Sequence, residues 1–213
     1  MATSLTIAEV LRLSRVIPVL AIEDATLACD VARAFVRGGL QVVEIVLRSA
    51  AALSAIEAIA RNVPQMRVGA GTVLTVTDLR AAASAGATFA VSPGTTASLL
   101  EEGVRGPIPY LPAVATASEL MTAMDAGYRC FKFFPASAAG GTTLLEAWAA
   151  PFPAARFFPT GGITPHTLLS YLRLSNVLCV GGSWLAPPEA LAARDWARIE
   201  ALTKEAVHRC ANA

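Results

Sequence analysis

The run Phe131-Lys132-Phe133-Phe134-Pro135-Ala136 sets an amine among aromatic rings. The chain carries 17 basic residues, of which only Lys132 and Lys204 are lysine; the others are arginine. Arginine keeps its proton in any protein setting, whereas a desolvated lysine can release one and attack a carbonyl. Taken alone, the position also suits an amphipathic lysine whose head reaches water from a strand end. Other stretches bear on that choice. In Val42-Val43-Glu44-Ile45-Val46-Leu47-Arg48 the strand period of two puts Glu44, Val46 and Arg48 on one face. If that face is interior, a carboxylate and a guanidinium share a cavity; an ion pair within the strand is the plainer alternative. Gly69-Ala70-Gly71-Thr72 allows close backbone approach and supplies a hydroxyl. Glycine pairs recur in Pro159-Thr160-Gly161-Gly162-Ile163 and Gly181-Gly182-Ser183-Trp184, where backbone N–H groups near helix starts can cradle a phosphate. A nucleophilic lysine, a carboxylate, a carboxylate-binding arginine and a phosphate cradle together suit Schiff-base chemistry. The amine would condense with a 2-keto group, the protonated imine would accept electrons as a carbon–carbon bond breaks, and Glu44 would move protons.

Such groups need a frame that brings distant strand ends together. After an opening amphipathic segment from about Ser4 to Leu13, short apolar runs alternate with Ala/Leu-rich stretches of helical period. The apolar runs occupy 16–22, 42–47, 66–73, 88–92, 108–114, 128–135, 156–160 and 177–180. Helices are predicted at 25–37, 50–62, 76–85, 97–103, 117–126, 142–150 and 165–172, with a last one at 195–210. Thr116-x-x-Glu119 reads as a capping box. Near-continuous apolar runs mark parallel strands buried on both faces. Eight βα units predict a (β/α)8 TIM barrel with an extra N-terminal helix, as one domain over 1–213, and reacting groups in such a barrel gather at the strand C-termini. An open doubly wound sheet is the structural alternative. It would ask for a dinucleotide fingerprint, but Leu74 stands where the third glycine after Gly69 and Gly71 belongs.

Composition excludes other classes. Hydrophobic residues make up 54% and charged residues 15%, with a net charge of +1 and no basic block, so nucleic acid is not the expected partner. Cys29, Cys130, Cys179 and Cys210 are widely spaced and only His166 and His208 accompany them, so neither a zinc site nor a disulfide framework is readable. That cysteine pattern suits a reducing cytosol, so a cytoplasmic protein is expected. The apolar run 16–22, too short for a membrane span and without a cleavage site after it, reads as a first strand and not as a signal peptide or transmembrane segment.

Six stretches in order carry a resemblance: Val43-Glu44-Ile45-Val46-Leu47-Arg48, Val68-Gly69-Ala70-Gly71-Thr72-Val73-Leu74, Ser92-Pro93-Gly94, the lysine run from Phe131, Pro159-Thr160-Gly161-Gly162-Ile163, and Gly181-Gly182-Ser183-Trp184-Leu185. Over almost its whole length the chain resembles the 2-keto-3-deoxy-6-phosphogluconate (KDPG) and 4-hydroxy-2-oxoglutarate (KHG) aldolases. The resemblance implies a cofactor- and metal-free class I aldolase of the Entner–Doudoroff pathway. It would act as a homotrimer, cleaving KDPG to pyruvate and glyceraldehyde 3-phosphate. It assigns the Schiff base to Lys132 and acid/base work through a water to Glu44. Arg48, Thr72 and Pro93 would hold the pyruvate carboxylate end, Thr160 the substrate hydroxyls, and Gly161, Gly162, Gly181 and Ser183 the phosphate. Arg15 matches a family arginine near the site. Arg48 and Thr160 follow the gluconate rather than the galactonate type, while Val46, Ser49 and Ala113 depart from the family pattern. The alternatives are KHG as main substrate, or a phosphate-sugar-binding barrel in which Lys132 forms only a salt bridge.

Overall fold

Apolar runs bounded by helix-forming stretches fold as alternating strands and helices in a computed structural model that describes residues 5–211. In chain order these are α1 (Ile7–Arg12), β1 (Val16–Leu20), a 3-10 turn (Ala25–Leu27), α2 (Ala28–Arg37), β2 (Val42–Val46), α3 (Ala52–Asn62), β3 (Arg67–Gly71), α4 (Val76–Ser84), β4 (Ala90–Val91) and α5 (Ala97–Arg105). They continue with β5 (Tyr110–Leu111), β6 (Ala113–Val114), α6 (Ala117–Asp125), β7 (Cys130–Phe133), α7 (Gly141–Ala149), β8 (Arg156–Pro159), α8 (Leu168–Leu172), β9 (Val180–Gly182), α9 (Pro188–Ala192) and α10 (Trp196–Ala211). Ser4, where the opening segment was expected to begin, lies outside the described residues; α1 starts after Thr6, whose hydroxyl and Glu9 form a capping box. The box expected at Thr116 and Glu119 opens α6.

The strands form an α/β fold of parallel sheets, one six-stranded (β5-β4-β3-β2-β1-β9) and one three-stranded (β6-β7-β8). Two details depart from expectation. The run 108–114 is cut into β5 and β6 at Pro112, which has no N–H to give a ladder, although its carbonyl still accepts from Lys132 N. The last strand begins at Val180 instead of Val177. Val177 sits in a turn, donating its N–H to Leu174 O, and makes only an isolated bridge to Phe157, while Leu178 N reaches Phe157 O. Helix α9, not expected, follows Pro187 with Pro188 at its first turn, where a fixed φ favours helix entry.

Alternation along the strands sorts side chains into two layers. Val43, Ile45, Phe131 and Phe133 join the larger core under the helices, where Phe133 meets Trp148 edge-on at 5.6 Å between ring centroids. Val42 and Cys130 belong to a smaller cluster inside the sheets, with Ile17, Phe89, Leu111, Phe158 and Cys179. Glu44 shares the face of Val42, and Lys132 shares that of Cys130, so both point into the same inner space. Helix α1 lies across the strand starts and adds Val10 and Leu11 to the inner cluster. Burying each of these two side chains stabilises by roughly 1.5–3 kcal/mol.

Candidate active site

In β2, Glu44 is level with Val19 of β1 and Gly69 of β3; in β7, Lys132 is level with Ala113 of β6 and Phe158 of β8. The two residues, 88 positions apart, meet in the inner space. Lys132 Nζ donates to Glu44 Oε1 across 2.9 Å, with Lys132 4% exposed and Glu44 fully buried. The ammonium also lies 5.3 Å from the centroid of the Phe134 ring, within cation–π range. A buried pair of this kind adds little net stability, because desolvation of both charges offsets their attraction. Its chemical use is clearer: one proton moved from Nζ to Oε1 leaves a neutral amine and a neutral acid, with no charge stranded in the interior.

Buried polar atoms are ordinarily paired. Among the described residues, two buried side-chain oxygens have no partner, Glu44 Oε2 and Thr160 Oγ1. Both belong to residues whose types suit ligand contact, one a carboxylate and the other a hydroxyl just past β8. The glycines around them make the room. A Cβ on Gly71 would run into the Glu44 carboxylate, and one on Gly181 into the Thr160 hydroxyl. Gly71→Ala is therefore expected to push the carboxylate off Nζ and slow turnover about a hundredfold, the scale of an ångström-sized misplacement. Steady-state kinetics beside an unchanged circular dichroism spectrum check this; wild-type kinetics would mean that the carboxylate position is unimportant.

Thr72 follows directly, with φ +56°, a left-handed conformation that a β-branched residue adopts only under strong local constraint. Arg48 is exposed past β2, and among the described residues its guanidinium makes no ion pair or hydrogen bond to the protein. It lines a cavity of about 510 Å³ over the end of β1 together with Ser183, which follows β9. Ser49 beside it donates its hydroxyl to Ile22 O, tying the β2 loop to the β1 loop. Past β8, Gly161 and Gly162 take φ of +100° and +74°, and Gly161 O accepts from Ser137 N across 3.0 Å. A Cβ on Gly162 would strike Ser137, whose proximity to the glycine pair no sequence motif signalled. Pro93 is half-buried in the turn after β4.

Arg15 is not brought to this group. It directly precedes β1, four positions before Val19, and its Nη2 donates to Leu172 O at the end of α8, 3.1 Å away. Its role there is to complement a helix C-terminus, where unpaired carbonyls favour a cation. Of the other candidates, Glu44 and Gly181 sit at the middle of their strands, Lys132 in the second half of β7, and Arg48, Thr72, Pro93, Thr160, Gly161, Gly162 and Ser183 just past strand C-termini.

Residues 7–202 match the family model described as "Aldolase: KDPG and KHG aldolase". The chain belongs to the KDPG and KHG aldolase family. Membership makes it an aldolase, a carbon–carbon lyase. A curated KDPG aldolase of Pseudoalteromonas atlantica is 50% identical over 192 residues, covering 90% of this chain and 89% of that one. Among solved structures, the KDPG aldolase of Legionella pneumophila, with pyruvate captured at low pH as a covalent carbinolamine intermediate, superposes with a TM-score of 0.92. It is 43% identical, with 94% of this chain and 97% of that one covered. The Zymomonas mobilis ZM4 enzyme, solved with 3-phosphoglycerate, gives a TM-score of 0.89 at 47% identity, with 93% of each chain covered. The KDPG aldolase fold is thus shared along nearly the whole chain.

Proposed function

We propose that this chain cleaves KDPG reversibly to pyruvate and glyceraldehyde 3-phosphate through a Schiff base on Lys132. The observation that carries the reading is the buried 2.9 Å contact between Lys132 Nζ and Glu44 Oε1. Proton transfer to Glu44 frees the amine, which attacks the C2 carbonyl; the carbinolamine loses water to give an iminium. Glu44 gives the proton it took from Nζ to the departing hydroxyl, so it is a carboxylate again and, directly or through a water, takes the proton of the C4 hydroxyl. The C3–C4 bonding pair then moves toward the iminium nitrogen, leaving an enamine and releasing the aldehyde. Protonation of the enamine carbon and hydrolysis release pyruvate and restore the amine. Arg48 and Thr72 hold the carboxylate with Pro93 beside it, and Thr160 Oγ1 meets substrate hydroxyls. Gly161, Gly162, Gly181 and Ser183 surround the phosphate. The covalent pyruvate of the Legionella enzyme and the 3-phosphoglycerate of the Zymomonas enzyme support the two halves of this assignment.

The same reading includes a single domain over 1–213 whose two sheets close into one (β/α)8 barrel. The short Leu111-Pro112-Ala113 link on one side and the Leu178-to-Phe157 hydrogen bond on the other support closure. It also includes a cytoplasmic homotrimer; among the described residues no helix is long and apolar enough to cross a membrane. Incubation with pyruvate and borohydride is expected to add one reduced pyruvate per chain, at Lys132. An unchanged intact mass, or an adduct at Lys204, would sink the Schiff-base mechanism and favour a binding barrel with a structural ion pair.

A further inference from the structure

We infer that Tyr110 is a positioning residue for the carboxylate end of the site, acting through a chain of two hydroxyls that sets the turn carrying Pro93. The inference rests on the placement of Pro93 proposed above. Ser92, buried just after β4, donates its hydroxyl to Gly94 O, across the turn that Pro93 occupies. A serine hydroxyl has one proton to give. Its 2.7 Å contact with the Tyr110 hydroxyl must then run the other way, the phenol donating to Ser92 Oγ. Tyr110 is itself buried, and burial pushes its phenol up to about 12, so the donor proton stays in place across the working range. Thr95 holds the far side of the turn, donating to Ala113 O at 2.7 Å. Ala113 pairs with Lys132, so the turn is tied on one side to β5 and on the other to the strand beside the nucleophile.

The phenol is aimed by α5. A Cβ on Gly103 would strike the Tyr110 ring and the Tyr128 hydroxyl, so only glycine lets the helix settle onto both rings. Tyr128 stands edge-on to Tyr110 with centroids 5.9 Å apart and donates its hydroxyl to Leu100 O across 2.8 Å. Among the described residues the Tyr110 hydroxyl bonds only to Ser92 and to no catalytic group, so its influence reaches substrate through Ser92 and Pro93.

Tyr110→Phe keeps the ring and removes one proton donor. Borohydride trapping is run on wild type and variant over a range of pyruvate concentrations, with KDPG cleavage measured in parallel. The expected result is a rise of about 3- to 10-fold in the half-saturating pyruvate concentration, the size of one lost neutral hydrogen bond, with the effect falling on KM rather than on kcat. Ser92→Ala should produce a similar rise, and the double variant should be no worse than the more affected single, because both act through one chain. If Tyr110→Phe does not fold, Ser92→Ala carries the test alone. Unchanged half-saturation in variants that still trap pyruvate at Lys132 would overturn the positioning role and leave the mechanism standing. Absence of trapping in wild type would instead remove the mechanism on which the inference rests. A fall in kcat with lower Tm and unchanged KM would also overturn it, marking Tyr110 as a packing residue.

Discussion

Lys132→Arg is expected to fold and to lose at least about a thousandfold in KDPG cleavage, with no borohydride-trapped pyruvate. The substitution is chosen because it separates charge from nucleophilicity. A guanidinium keeps a cation opposite Glu44, so the buried carboxylate is not left alone, a defect that typically costs roughly 3–5 kcal/mol. What arginine cannot do is give up its proton and bond to carbon. Loss of activity with a native circular dichroism spectrum would therefore point to covalent chemistry and not to a collapsed site. The added bulk is a real strain where the native side chain is 4% exposed, so a fall in Tm of several degrees is part of the expectation. Residual cleavage above a few per cent of wild type would contradict a nucleophilic lysine.

Glu44→Gln tests the other half of the pair. The amide matches the acid in shape and can still accept from Nζ, but it takes no proton. Loss of a positioned acid/base group commonly slows a reaction by about 10²–10⁴-fold, and a drop of that order is expected in kcat. Schiff-base formation should survive at a reduced rate, because the amine remains. The sharper readout is exchange of the pyruvate methyl protons with deuterium from solvent, which reports enamine formation directly. Exchange at the wild-type rate in Glu44→Gln would transfer the proton work to another group. Since one side of a buried pair is neutralised, both rates belong at a temperature well below the variant's Tm.

Much of this site was legible before any coordinates, and the reason is periodicity. A strand buried on both faces still alternates, so Glu44 had to share a side with Val42, and Lys132 with Cys130; the inner cluster contains both partners. The aromatic neighbours Phe131 and Phe133 had to take the opposite side, and they pack with Trp148 and Phe157. Register is what a sequence does not print. That Gly71 clears space for a carboxylate on the neighbouring strand follows from Val46 being level with Gly71, which no spacing rule supplies. The Ser92–Tyr110 contact spans 18 positions and depends on how α5 settles onto β5. Arg15 shows what a motif match leaves out: it names the residue, while the position before β1 and the contact with Leu172 O come only from the fold. The late start of β9 is local: Val177 N is spent on the turn to Leu174 O, Asn176 is held by its amide on Leu145 O, and pairing with β1 begins only at Val180.

Helix α1 has a consequence for the order of events. Val10 and Leu11 fill space among the strand starts, so in the closed barrel proposed above whatever reaches Lys132 would come from the other end, past Arg48, Thr72 and the glycine loops. Substrate, product and the water that hydrolyses the imine then share one mouth. A molecule that enters with its keto end leading and its phosphate trailing leaves in reverse: the phosphorylated fragment clears the opening first, and only then can water reach the tethered ketoacid. The vessel empties last in, first out, so the proposed covalent intermediate would be sheltered for as long as the phosphorylated fragment still sits above it.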